Sequence, residues 1–116
     1  MSELFDFSIK LRIKLKGDDL MYAFGPGTAS LLRGIKQHHS LNQSAKKMGM
    51  AYSKAWKSIR ATEEQLGFSL IERRGPNGSI LTENGEAVLK LFDEMVEAAH
   101  RVAGEVYRQS GFEIKE

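Results

Sequence analysis

Between Ile9 and Lys16 apolar and basic residues alternate strictly, with Ile9, Leu11, Ile13 and Leu15 separated by Lys10, Arg12, Lys14 and Lys16. A period of two puts the four aliphatic side chains on one face, which predicts a half-buried strand. Gly17, Asp18 and Asp19 follow as turn residues, then the apolar run from Leu20 to Phe24, then Gly25-Pro26-Gly27. This order predicts a β-hairpin over 8–24 closed by a glycine-proline break. From Thr28 the period changes. Ala29, Leu31, Leu32 and Ile35 recur at helical spacing, so a first helix should start at a cap formed by Gly27 or Thr28 and run to about His38. Ser40 is placed to cap a short helix with Leu41, Ala45 and Met48 inward, which Gly49 should end in a left-handed conformation. Tyr52, Ala55, Ile59, Thr62 and Leu66 then mark a longer helix that stops at Gly67.

The segment 28–67 therefore reads as a first helix followed by a helix-turn-helix. Two helices joined by so short a turn need small side chains where they cross, and Ala45 and Ala55 meet that need. Over 69–81 the strand-like Ser69-Leu-Ile-Glu-Arg-Arg74, the turn Gly75-Pro76-Asn77-Gly78 and the run Ser79-Ile80-Leu81 predict a two-stranded wing. Thr82 should cap a long helix over 82–109. Val88, Phe92, Met95, Ala99, Val102 and Val106 are spaced by four and three in turn, the seam of a coiled-coil-like contact. Leu89, Leu91, Val96 and Ala103 lie off that seam. So long a helix with apolar positions on more than one side cannot bury them all on a small body, so two copies are expected to pair through it. The fold class is mainly α with small β-hairpins, a winged helix-turn-helix in one domain over 1–116.

Charge gives this architecture a direction. Between Leu20 and Thr62 there is no Asp or Glu, while Arg33, Lys36, Lys46, Lys47, Lys54, Lys57 and Arg60 are all basic. An acid-free stretch that coincides with a helix-turn-helix points to a polyanion, and nucleic acid is the natural one. At about 100° per residue, Ser53, Lys57 and Arg60 lie opposite the inward stripe of the second helix of the motif. Ser53, Lys54 and Lys57 occupy its early turns and are the expected readers of base edges in a major groove. Ser40, Lys46, Lys47, Tyr52 and Arg60 are expected on the phosphate backbone. In the wing, Arg73, Arg74, Asn77 and Ser79 flank small residues that permit close approach to DNA.

Other chemistry finds little to work with. There are no cysteines, which excludes disulfides and thiolate metal sites. His38 and His39 follow the first helix without acids to complete a metal site and read as surface histidines. No nucleophile-elbow serine, no phosphate-binding glycine loop and no carboxylate pair in an apolar pocket is visible, so no enzyme and no cofactor are expected. No segment approaches the roughly 18 apolar residues of a membrane span, and the first residues lack the order of a signal peptide, so a cytoplasmic chain without membrane contact is expected. Trp56, the sole tryptophan, falls between the inward stripe and the groove face, where it either packs at the boundary or touches the DNA backbone. A winged helix can also serve as a protein-interaction module with the long helix as its working surface.

The run from Ser40 through Leu41-Asn42-Gln43-Ser44-Ala45 to Arg74, and on to Leu81-Thr82-Glu83-Asn84-Gly85, resembles the winged helix-turn-helix of LysR-type regulators. The Gly25-Pro26-Gly27 lead-in, the preceding hairpin and the Gly49-Met-Ala-Tyr-Ser-Lys-Ala-Trp56 core look closer to the N-terminal domain of ModE-type, molybdate-responsive regulators. The similarity runs from about Ile9 to Tyr107. It implies sequence-specific binding of double-stranded DNA by a homodimeric transcriptional regulator. The wing, Arg73-Arg-Gly-Pro-Asn-Gly-Ser-Ile80, is shorter than the glycine-rich wing usual in ModE-type proteins. Molybdate or another small ligand is not expected on this chain, because it ends where the family's molybdate-binding domain would begin.

Overall fold

The computed structural model describes residues 5–17 and 23–115; the side chain of Asn77 also lies outside the described part. The alternating N-terminal run is extended, with Ile9, Leu11 and Ile13 half-buried and the bases between them exposed. Where a hairpin was expected over 8–24, the described residues form one antiparallel bridge, in which Ile13 and Phe24 exchange backbone hydrogen bonds of 2.7 and 2.8 Å. Asp18 to Tyr22 fall outside the described residues. Leu11 and Ile13 pack against the core, but Leu15 is half exposed, because the core ends before reaching it.

The first helix, α1, spans Pro26–His38. It begins two residues earlier than the apolar period indicates, with Gly25 rather than Gly27 or Thr28 at the cap. Proline fits the first helical position because its missing N–H would have had no partner there. Ala29, Leu31, Leu32 and Ile35 form its buried stripe. His39 closes the helix at φ 56, and its carbonyl accepts the backbone N–H of Ser79 at 2.9 Å, which ties the wing to the end of α1.

Helix α2 spans Leu41–Lys47, and the Ser40 hydroxyl accepts the Gln43 N–H at 3.1 Å. The α1/α2 crossing is closer than Ala45 alone would indicate. Ser44, fully buried, donates its hydroxyl to the Leu31 carbonyl at 2.7 Å, and a Cβ on Gly34 would stand 2.1 Å from that hydroxyl oxygen. Met48 is exposed rather than inward, since it follows the last residue of α2 and no longer keeps the helical phase. Gly49, at φ 68, makes the turn. Helix α3, Tyr52–Leu66, buries Ala55, Ile59, Thr62, Glu63 and Leu66 and ends at Gly67 with φ 83.

Strands β1, Ile71–Arg73, and β2, Ser79–Leu81, pair antiparallel with Ile71 opposite Leu81 and Arg73 opposite Ser79. A short 3-10 turn at Gly75–Asn77 joins them. Helix α4 then runs Glu83–Gln109, and the Thr82 hydroxyl accepts the Gly85 N–H at 2.9 Å. Gly85 is forced by tertiary structure, because a Cβ there would stand 2.1 Å from the Leu70 carbonyl oxygen.

Helix α4 corrects the expected seam. Val88 and Phe92 are 8% and 4% exposed and belong to the core of the protomer, as does Leu89. The Phe92 ring meets Phe24 edge to face with centroids 5.4 Å apart. Val96 is half-buried against the same core. The apolar side chains that α4 leaves in solvent are Leu91, Met95, Val102 and Val106. Stepping 100° per residue, these four and Ala98 share a stripe rotated by about 100° from the core-facing one. Ala99 sits between the two and is half-buried. The expected seam straddles the two stripes, and position along the helix decides the rest: Val88 and Val106 are about five turns apart and share a side, but the core reaches only Val88. The C-terminal half of the core-facing side receives the N-terminal segment instead: Phe7 stacks on His100 with centroids 6.4 Å apart, and the Tyr107 hydroxyl accepts the Phe5 N–H at 3.1 Å.

Candidate nucleic-acid interface

Burying Ala55, Ile59 and Thr62 fixes which side of α3 faces out. Ser53, Lys54, Lys57 and Arg60 are all exposed on it. Met50, Ser53, Lys54, Lys57 and Ser58 line an open recess along its first turns. Lys46 and Lys47 are exposed on the last turn of α2, and Lys47 lines a separate recess with Arg33, Gly34 and Gln37 of α1. The Ser40 oxygen already accepts a backbone N–H, which leaves its O–H free to donate to an anion.

The basic residues of the acid-free stretch divide into two groups. Arg33 is paired with Asp93, Lys36 with Glu86 at 2.9 Å and Arg60 with Glu63 at 3.0 Å, so three of these charges face carboxylates, two of them supplied by α4. Lys46, Lys47, Lys54 and Lys57 have no carboxylate partner among the described residues. The uncompensated positive charge is thus concentrated on α2 and α3.

Between α3 and the wing lies a cluster that the sequence reading did not assemble. Glu63 is 7% exposed, and its carboxylate serves both elements. Oε2 accepts the backbone N–H of Leu70 at 2.7 Å and that of Ile71 at 3.4 Å, while Oε1 accepts from Arg60 at 3.0 Å. The Arg60 guanidinium carbon lies 4.3 Å from the centroid of the Trp56 ring, and that of Arg73, on β1, lies 4.6 Å from the same centroid. Arg73 also donates to the Tyr52 hydroxyl and stands 5.9 Å from the Tyr52 centroid. The signal was in the spacing: Tyr52, Trp56 and Arg60 stand four apart on one helix, where side chains are neighbours.

The wing residues do not all face solvent. Arg73 and Arg74 are exposed, with Arg74 reaching Glu72 at 3.6 Å. Ser79 departs from its expected role. It is buried at 6% exposure, because its backbone is drawn against the His39 carbonyl. Gly78 is required beside it, since a Cβ there would meet that same carbonyl oxygen at 2.0 Å. Asn77 belongs to the turn, with its side chain outside the described part.

Residues 30–86 match the model of a family described as the bacterial regulatory helix-turn-helix protein, lysR family. Over 90 residues the chain is 32% identical to the DNA-binding transcriptional dual regulator ModE of Escherichia coli K12. It is 31% identical over the same length to the transcriptional regulator ModE of Yersinia pestis. The chain carries a winged helix-turn-helix of the ModE/LysR type. The matched window of this helix-turn-helix runs from within α1 to the first turn of α4, so it holds the α3 face, the wing and the arginine–tryptophan cluster. The ModE alignment covers 74% of this chain and 32% of the E. coli protein, so the chain matches about a third of its relative. The winged architecture is shared with CbnR_DBD, solved as a complex with DNA: the TM-score is 0.58, identity is 24%, and the match covers 72% of this chain and 94% of that one. Among the described residues, no helix is long and apolar enough to cross a membrane and no group of three or more candidate ligands could hold a metal ion.

Proposed function

We propose that this chain is a cytoplasmic transcriptional regulator that binds double-stranded DNA in a sequence-specific manner as a homodimer. The observation that carries the reading is the α3 face: Ser53, Lys54 and Lys57 stand outward, the two lysines without carboxylate partners among the described residues, and the wing presents Arg73 and Arg74. A helix of this width fits a major groove, so Ser53, Lys54 and Lys57 read base edges. Ser40, Lys46, Lys47, Tyr52 and Arg60 hold phosphates, and the wing arginines follow the backbone or minor groove. The ModE relatives, named as transcriptional regulators, support the same reading.

Dimerisation rests on the exposed stripe Leu91, Met95, Val102 and Val106, which the protomer leaves uncovered. A two-fold pairing through α4 presents two α3 helices to successive major grooves, hence a pseudo-palindromic site.

Selection of bound duplexes from a random pool, followed by titration of the winner and of a scrambled duplex across salt concentrations, tests the function. A winner with two-fold symmetry, bound at least 10³-fold more tightly than the scrambled duplex, is expected. No enrichment, and no binding even at low salt, would reject the reading in favour of a protein-interaction module. Within the same assay Lys57→Ala should weaken binding to the selected site by about 1–3 kcal/mol while weakening binding to the scrambled duplex far less. An unchanged ratio of the two affinities would remove Lys57 as a base reader.

A further inference from the structure

We infer that Trp56 is a positioning residue, whose ring holds Arg73 of the wing and Arg60 of α3 in place before DNA arrives. The inference rests on the DNA-binding reading above and adds to it the device that fixes the wing against the recognition helix.

The wing is a weak element on its own. It consists of two strands of three residues, and a two-stranded ribbon is marginal in water without further support. Its base is secured: Ile71 and Leu81 are buried, Glu63 binds the N–H groups of Leu70 and Ile71, and Ser79 is bonded to His39. Arg73 ends β1, where the chain leaves that base for the turn. There the contacts holding the side chain to α3 are those with Trp56 and Tyr52. An arginine side chain with this much rotamer freedom would otherwise have to be ordered when DNA binds, at a cost to affinity. Lying over an aromatic ring uses the π-face of the ring and leaves guanidinium N–H groups at its edge to donate to phosphate oxygens. The same ring carries Arg60, itself fixed from the other side by the buried Glu63 carboxylate. One indole therefore sets the places of two cations, one on each DNA-facing element.

The arrangement is read first without DNA. In the free protein the Arg73 Hδ and Hε resonances should be shifted upfield by the ring current, and Trp56→Leu, which keeps an apolar side chain but removes the ring, should return them to ordinary values. Trp56 also packs against the core, so the variant is compared well below its lowered melting temperature. Resonances already at ordinary values in the wild type would overturn the inference. The second arm uses the selected duplex. Trp56→Leu should weaken binding about tenfold with little change in the slope of log affinity against log salt, because the cations are still present but must be ordered. Arg73→Ala, at an exposed position, should weaken binding and lower that slope by about one. The double variant should bind about as weakly as Arg73→Ala with at most a small further loss through Arg60, well short of the product of the two single losses, since Trp56 acts largely through Arg73. Trp56→Phe should recover part of the affinity that Trp56→Leu loses. Fully multiplicative losses, or no recovery with phenylalanine, would overturn the positioning role. Failure of the wild type to bind any duplex would end the DNA-binding reading and this role with it, while the ring-current shift would still report the contact.

Discussion

Replacing Phe92 with alanine should destabilise the protomer by about 3–5 kcal/mol, which is a large share of the roughly 5–15 kcal/mol that holds a domain folded. Phe92 is 4% exposed and joins α4 to the N-terminal segment through its edge-to-face contact with Phe24, itself fully buried. Truncation removes both the transfer free energy of the ring and the packing around it, and the surrounding elements, α1 and the Ile13–Phe24 bridge, are tied by their own hydrogen bonds and can close the void only in part. Urea titration at several protein concentrations measures the effect. If Phe92 packs inside the protomer, the midpoint falls by the same amount at every concentration. A loss that grows with concentration and vanishes on dilution to monomers would instead place Phe92 in the dimer contact.

Met95→Lys should do the reverse, leaving the protomer folded and separating the dimer. Met95 is 41% exposed on the stripe with Leu91, Val102 and Val106, none of which the protomer covers. Removing a large aliphatic side chain fully from water is worth about 1.5–3 kcal/mol. Two copies of a stripe of four can therefore outweigh an association cost of about 4–15 kcal/mol even with incomplete burial. A lysine on that stripe would have to lose its hydration near its symmetry mate, which tips the balance toward monomer. Sedimentation equilibrium at tens of micromolar should show a wild-type dimer and a monomeric variant. Because the second half-site is then no longer delivered at high effective concentration, affinity for a two-fold site should drop by about 100-fold or more, while weak binding to random duplex persists through the intact α3. A wild-type monomer, or a variant that stays dimeric, would assign the stripe to another partner.

The two substitutions lie three residues apart on one helix and are expected to act on different equilibria, and this is where reading the sequence and seeing the structure part company. Local pattern was sufficient for the elements. The serine and threonine caps at Ser40 and Thr82 and the glycines at Gly49 and Gly67 are decided within a few residues of chain, so the sequence carries them directly, whereas the alternation after Ile9 yields one bridge at Ile13. The same holds for the outward side of α3, since burying Ala55, Ile59 and Thr62 leaves Ser53, Lys54 and Lys57 on the far side whatever the rest of the molecule does. The absence of acids from Leu20 to Thr62 likewise needs no coordinates.

What tertiary structure alone decided is which of several apolar or charged neighbours meet. Helical periodicity marks Val88, Phe92 and Met95 alike as apolar, but the way α4 packs on the core buries the first two, Phe92 against Phe24, and leaves the third in solvent. Charge counting gives Arg33 and Lys36 the same sign as Lys54 and Lys57, but α4 places Asp93 and Glu86 against the first pair alone. Gly34, Gly78 and Gly85 appear unremarkable in the chain, and each is demanded by an atom of a distant segment: the Ser44 hydroxyl, the His39 carbonyl and the Leu70 carbonyl. The Trp56 cluster depends on the angle at which the wing returns to α3, and that angle is set by the buried Glu63 carboxylate binding the start of β1. Local sequence fixes dihedral preferences and the phase of each helix, whereas the approach of one element to another is set by packing between residues far apart in the chain, which no short window contains.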